Sequence, residues 1–131
     1  RVIGIDIWRS EDQARNSPEA TLRNMRLEGV SERVEVRTAD ARDLPFDAGS
    51  FDVVISSWAL HNIAGRDERQ RALIEIVRVL KPGGRLLLID IRHGHEHAAI
   101  LRECGMAAVQ VSAPSFLFVI PTRVITAHKL S

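Results

Sequence analysis

Apolar residues fall along this chain in short runs separated by amphipathic stretches, and that alternation predicts the order of its elements. Residues 2–5 form a compact apolar run closing on Asp6, a predicted strand. Ser17 and Pro18 then open a helix, Ser as N-cap and Pro at the first helical position, where its missing N–H is not needed. The pattern continues to Leu27 and stops at Gly29, a residue that accepts the left-handed conformation. Residues 34–37 alternate as a short strand that leads to Asp40. Turn chemistry at 44–50 feeds a β-branched run at 51–56, read as a strand buried on both faces. Leu73, Ile76, Val77 and Leu80 recur at i, i+3, i+4 and i+7, the clearest helix in the chain, with Asp67 and Gln70 as its expected capping pair. Lys81-Pro82-Gly83-Gly84 ends that helix, and 85–89 is the next strand. A helix ending at Gly105, strands near 109–112 and 123–128, and a return at 115–121 complete the pattern. Strands alternating with helices predict an α/β sandwich, its sheet mostly parallel, with the last strand antiparallel.

Composition narrows the class. At 131 residues the chain is one domain, and 45% hydrophobic with 27% charged residues is an ordinary globular balance rather than a disordered one. Eighteen basic against 17 acidic residues leave a net charge of +1, too little for a field that attracts nucleic acid. No apolar run approaches the ~20 residues of a membrane span. The single cysteine, Cys104, is expected to be buried and has no partner for an internal disulfide. The chain opens on Arg1 with no visible leader, and a cytoplasmic location is expected.

In α/β sheets ligands bind beyond the carboxyl ends of the strands. The residues at those ends here are Asp6, Asp40, Ser57 through His61, and Asp90. Asp6 can accept both hydroxyl protons of a ribose; a solvated strand end or a helix cap is the plainer alternative. Trp8 either covers a base or packs in the core. Asp40 can accept from an adenine amino group, or simply form a turn before Arg42 and Asp43. His61 is a candidate general base at neutral pH, against a hydrogen-bonded loop histidine. His93, His95 and His97 with Glu96 resemble metal ligands only superficially, since their spacing suits no common zinc arrangement. They read as a solvated loop entering a helix, and no metal site is expected. The chain has no nucleophile elbow, no phosphate loop and no paired cysteines, so serine hydrolysis, NTP hydrolysis and structural zinc all lack their residues.

Four segments taken together resemble the class I methyltransferases that use S-adenosylmethionine. They are Gly4-Ile5-Asp6-Ile7; Ala39-Asp40-Ala41 with Leu44-Pro45-Phe46; Ser50-Phe51-Asp52-Val53-Val54; and residues 78–86, with Leu80-Lys81-Pro82-Gly83-Gly84 at their centre. The match is nearest to the small-molecule branch that includes the ubiquinone and menaquinone biosynthesis methyltransferases. The resemblance implies a Rossmann-like three-layer fold and methyl transfer to a small-molecule O, N or C nucleophile. It implies that Asp6 holds the ribose hydroxyls and Ile7 packs on adenine, that Asp40 and Ala41 read the adenine edge, and that Ser57 lies beside the methionine portion. His61 is the one nearby base.

The family's first strand and its glycine-rich loop have no counterpart in residues 1–131, which predicts that this is the C-terminal portion of a longer methyltransferase domain. Open sheet edges are the expected consequence, with pairing of two copies into a homodimer as one outcome. An NAD(P)-dependent oxidoreductase of Rossmann type is the alternative enzyme, since Asp6 would serve its ribose equally well. A catalytically silent nucleotide-binding or interaction domain is the other. The expected partner is a small-molecule substrate.

Overall fold

A computed structural model describes residues 1–131 other than Gln13 and Phe118. Packing divides the chain into two compact units, Arg1–Asp43 and Leu44–Ser131.

The first unit is a β-α-β turn of chain. Strands β1 (Val2–Asp6) and β2 (Val34–Thr38) pair in parallel, Val2 opposite Val34 and Asp6 opposite Thr38. Helix α1 (Pro18–Leu27) connects them, with Met25 buried. Both predicted caps form. The Ser17 hydroxyl accepts from the Ala20 N–H at 3.1 Å, with Pro18 at the first turn. At the other end Gly29 sits at φ 67, its N–H reaching the Arg26 carbonyl while the Val30 N–H reaches Met25. That pair of bonds satisfies carbonyls the helix leaves open.

The second unit holds a four-stranded sheet in the order β3-β4-β6-β5. Its strands are β3 (Phe51–Ser57), β4 (Leu80–Asp90), β5 (Met106–Val111) and β6 (Arg123–Lys129). β3 and β4 pair in parallel, and β6 runs antiparallel to both β4 and β5. Only β6 is therefore reversed, as expected of the last strand. Ser115 bridges Thr122 across the predicted return, within which Phe118 lies outside the described residues. Helices α2 (Arg66–Val79) and α3 (Gly94–Glu103) supply Leu73, Ile76, Val79, Ile100 and Leu101 to a core completed by Leu86, Leu88 and Ile125.

Cys104, expected to be buried, is half-buried, and four further expectations need correction. Asp67 and Gln70 do not cap α2. The N-cap is Gly65 at φ 82, a conformation glycine alone enters freely, so the helix starts earlier and Asp67 falls inside its first turn. The Lys81–Gly84 segment does not precede its strand but belongs to it, because β4 follows α2 directly. The pairing with β3 shifts between Phe51 and Val53 to accommodate those extra residues. Gly84 is required there: a Cβ would sit 2.8 Å from the Lys81 carbonyl oxygen and 3.2 Å from that of Asp52. β3 is not buried on both faces, since Val53 and Ile55 are 53% and 62% exposed. In its sheet β3 is the end strand, and no described residue extends the ladder beyond it. The last correction concerns the histidine stretch. His93 does precede the helix and His95 is exposed, but His97 is fully buried, with no hydrogen-bond partner on either ring nitrogen.

Candidate functional site

In the first unit the site residues gather at one edge, because β1 and β2 run parallel and end together. The Ala39 N–H donates to the Asp6 carbonyl at 3.1 Å, extending the ladder past both strands. Asp6 is half-buried, and its carboxylate does local work. One oxygen accepts from the Trp8 N–H at 2.7 Å and the other from the Asn16 amide at 3.1 Å. A carboxylate can accept about four hydrogen bonds, so these two contacts orient Asp6 and leave capacity for the two hydroxyls of a ribose. Asn16, which the sequence pattern did not single out, thus helps to hold the Asp6 carboxylate. Trp8 donates its indole N–H to the Thr38 hydroxyl at 2.9 Å, joining the two strand ends, and is half-buried rather than a core residue. Ile7 between them is 43% exposed, an apolar surface next to the carboxylate.

Asp40 is held differently. Its carboxylate accepts from the Arg42 backbone N–H at 2.9 Å and from the Arg42 guanidinium at 2.6–3.1 Å. Arg42 therefore shares the acceptor capacity an adenine amino group would use. Ala41, half-buried, lies between them.

In the second unit β3 and β4 also run parallel and end together. Ser57 closes β3 and is exposed. Beyond it Trp58 turns at φ 51, its N–H donating to the Ile89 carbonyl at 2.8 Å. The following 3-10 turn, Leu60–Asn62, buries Leu60 and carries His61 back over the end of β4. There His61 meets Asp90. The imidazole Nδ1 lies 2.5 Å from Asp90 Oδ1, and the His61 backbone N–H donates to Oδ2 at 3.1 Å. Asp90 also accepts from the Ile91 N–H at 2.8 Å and is only 3% exposed.

Arg69 fixes the far side of that turn. Its guanidinium donates to the Ile63 carbonyl at 2.9 Å while pairing with both Glu96 oxygens at 2.6 and 3.1 Å. That pairing holds the Glu96 carboxyl below its usual range and raises Arg69, so the bridge is fully charged at neutral pH. A shallow cavity of about 210 Å³ opens beside Asp90, bordered by Arg92, His93, Glu96 and Arg123. Among the described residues no group of three or more His, Cys, Asp or Glu is arranged to hold a metal ion.

The structure brings Asp6, Ile7, Asp40 and Ala41 to one edge of the first unit, and Ser57 and His61 to one edge of the second. It adds Asp90 as the partner of His61, which spacing could not indicate because 29 residues separate them. Strand-end position was the one signal that marked Asp90.

Comparison with known proteins gives these edges a family. Residues 1–88 match a family model described as a methyltransferase domain. The chain is 49% identical over 65 residues to a demethylmenaquinone methyltransferase of Clavibacter sepedonicus, a match covering 50% of this chain and 25% of that protein. It is 41% identical over 66 residues to the ubiquinone/menaquinone biosynthesis C-methyltransferase UbiE of Idiomarina loihiensis, covering 50% of this chain and 25% of that protein. The matches thus span about a quarter of those relatives' length.

Two solved structures show the fold. An S-adenosylmethionine-dependent methyltransferase of Methanosarcina mazei superposes with a TM-score of 0.75 at 22% identity, over 98% of this chain and 81% of that one. The [4+2]-cyclase SpnF superposes with a TM-score of 0.79 at 18% identity, over 99% and 67%. The fold is Rossmann-like α/β, and the chain belongs to the methyltransferase domain family, the class I group that depends on S-adenosylmethionine.

Proposed function

We propose that this chain is the C-terminal portion of a methyltransferase domain that transfers a methyl group from S-adenosylmethionine to a small-molecule O, N or C nucleophile. The family match across residues 1–88 carries the reading. S-adenosylmethionine supplies a methyl group on a positively charged sulfur, already activated for attack. The protein's task is to bind, align and exclude water, which is why no strong nucleophile is called for. Asp6 would hold the ribose hydroxyls with the acceptor capacity that Trp8 and Asn16 leave, and exposed Ile7 would cover an adenine face. Asp40 and Ala41 would take the adenine edge, with Arg42 yielding part of its hold. Ser57 would flank the methionine portion. His61 would accept the proton of an acidic acceptor at the end of β3.

The relatives named for C-methylation in ubiquinone and menaquinone biosynthesis make a carbon acid the first acceptor class to try. The oxidoreductase alternative has no support in the family match. A location in the cytoplasm belongs to the same reading, alongside the fact that no helix among the described residues is long and apolar enough to cross a membrane. The near-neutral charge argues for a small-molecule partner over nucleic acid.

Calorimetric titration with S-adenosylmethionine and, separately, with NAD tests the reading on the intact protein. The expected result is saturable binding of the first, at micromolar strength or about 8 kcal/mol, and none of the second. Binding of NAD alone would overturn it.

A further inference from the structure

We propose that Asp90 is the positioning residue for His61, holding the imidazole in the tautomer with its proton on Nδ1 so that Nε2 is the proton acceptor toward the methyl acceptor. The use of Nε2 rests on the methyltransferase reading; the tautomer rests on geometry alone.

Three donors converge on the Asp90 carboxylate: Ile91 N–H on Oδ1, His61 N–H on Oδ2, and the ring Nδ1 on Oδ1 at 2.5 Å. An ionised carboxylate only accepts, so the ring nitrogen that faces it must donate, and the lone pair of a neutral imidazole is then on Nε2. Asp90 is nearly inaccessible, whereas the His61 side chain keeps 12% of its surface, which leaves the ring a way to exchange protons with its surroundings.

The arrangement is also stiff. Asp90 ends a strand paired on both sides, with Ser57 aligned against Ile89 in β3 and Arg123 against Asp90 in β6. The backbone bond from His61 to the same carboxylate fixes the ring's root as well as its edge. Arg69 clamps Ile63 just beyond.

Two neighbouring arginines are engaged elsewhere. Arg123 directs its guanidinium to the Ser112 carbonyl at 2.9 Å. Arg69 is paired with Glu96. His97, packed in α3 within the field of Asp90, has burial pushing its pKa down and is neutral at pH 7.

During methylation of an X–H acceptor, the lone pair of O or N, or for a carbon acid the C–H bonding pair freed as the proton leaves, would form the new bond to the methyl carbon, and the electron pair of the breaking carbon–sulfur bond would return to sulfur. The proton leaves X for Nε2. The imidazolium so formed has its positive charge beside the Asp90 carboxylate, which favours it, and later releases the proton to solvent.

Nitrogen-15 NMR of histidine-labelled intact protein reads the tautomer directly, with His61→Gln identifying the resonance. The expected result is a protonated Nδ1 and a bare Nε2 in the neutral ring. Asp90→Asn should depopulate that tautomer, because the amide can donate to Nδ1 where the carboxylate could not. With an acceptor in hand, kcat should fall about 10²- to 10⁴-fold, the general-base range, while S-adenosylmethionine affinity stays within about twofold. Asp90→Glu should restore part of kcat and of the tautomer.

A protonated Nε2 in the unmodified neutral ring would overturn the proposal, as would a tautomer untouched by Asp90→Asn. Should Asp90→Asn fail to fold, the tautomer of the unmodified protein decides alone. Absence of S-adenosylmethionine binding would sink the methyltransferase reading and leave the tautomer assignment standing, so the two failures are distinct.

Discussion

Asp6 and Asp90 are both aspartates at strand ends, yet their surroundings set them to different tasks. Asp6 is half-buried with two partners, which is the condition for binding a further ligand. Truncation of Asp6 to Ala should weaken S-adenosylmethionine binding by about 1.5–3 kcal/mol, the range for hydrogen bonds to a charged group, with Asp6→Asn recovering part of it. Calorimetric titration of the intact protein checks this, and unchanged affinity would return Asp6 to a purely structural role. Asp52, 81% exposed and paired with Lys81 in a surface bridge, is the control. His97 offers a second test at this scale. Both ring nitrogens are buried without partners, so an apolar replacement removes an uncompensated polar group. Burial holds its pKa below the ordinary histidine value of about 6.5. The unfolded chain therefore takes up that proton first, and stability is lost as pH falls from about 6.5 toward the folded value. His97→Leu should keep or raise the melting temperature at pH 7 and flatten the stability profile between about pH 6.5 and 5. A steeper profile would count against the buried, neutral ring.

At the scale of elements, two devices hold the second unit together around its site. The Lys81–Gly84 segment turns within β4, and Gly84 has backbone oxygens on top of the position its Cβ would fill. Gly84→Ala should lower stability by about 1–3 kcal/mol, as overpacking does, seen as a reduced denaturant midpoint at constant slope. The other device is the Arg69–Glu96 bridge between α2 and α3. The Arg69 guanidinium holds Glu96 below the ordinary glutamate value of about 4.5, so the folded state resists protonation that the unfolded chain accepts. Its contribution is present in full above about pH 4.5 and disappears as pH falls through the lower folded value. Glu96→Gln should therefore reduce stability at pH 7 and shrink the acid-induced loss, measured by urea titration across pH 3–7. The helix and strand periods that predict these elements contain no information about either device. Arg69 sits on the buried face of an amphipathic helix, a position where periodicity alone expects an apolar residue.

For the molecule as a whole, the open side of β3 matters most. Val53 and Ile55 are exposed on a strand that is paired, among the described residues, with β4 alone. Unpaired strand edges with apolar side chains recruit other strands. Residues 1–131 are therefore expected to associate through β3. Sedimentation of the 131-residue chain should show concentration-dependent dimers or larger species, and Ile55→Lys should suppress them without lowering the melting temperature. A monomer at all concentrations would count against association through this strand.

Read from its sequence alone, the chain declares what depends on neighbouring residues: the Ser17-Pro18 start and Gly29 stop of α1, the β-branched strands, the order of elements, and the carboxylates at strand ends. Those signals are local in origin, because caps, turns and side-chain periods act within a few residues. Even there Gly65 displaced the expected cap of α2, since a glycine able to take a positive φ competes with a carboxylate that caps by hydrogen bonding. Tertiary structure alone decided what depends on distance along the chain. It set His61 against Asp90 across 29 residues, committed Asp40 to Arg42, buried His97 without a partner, and left one face of β3 uncovered. The reason is physical: parallel strands bring their carboxyl ends together however far apart they lie in sequence, and the hydrogen bonds made there depend on register, which no local pattern encodes.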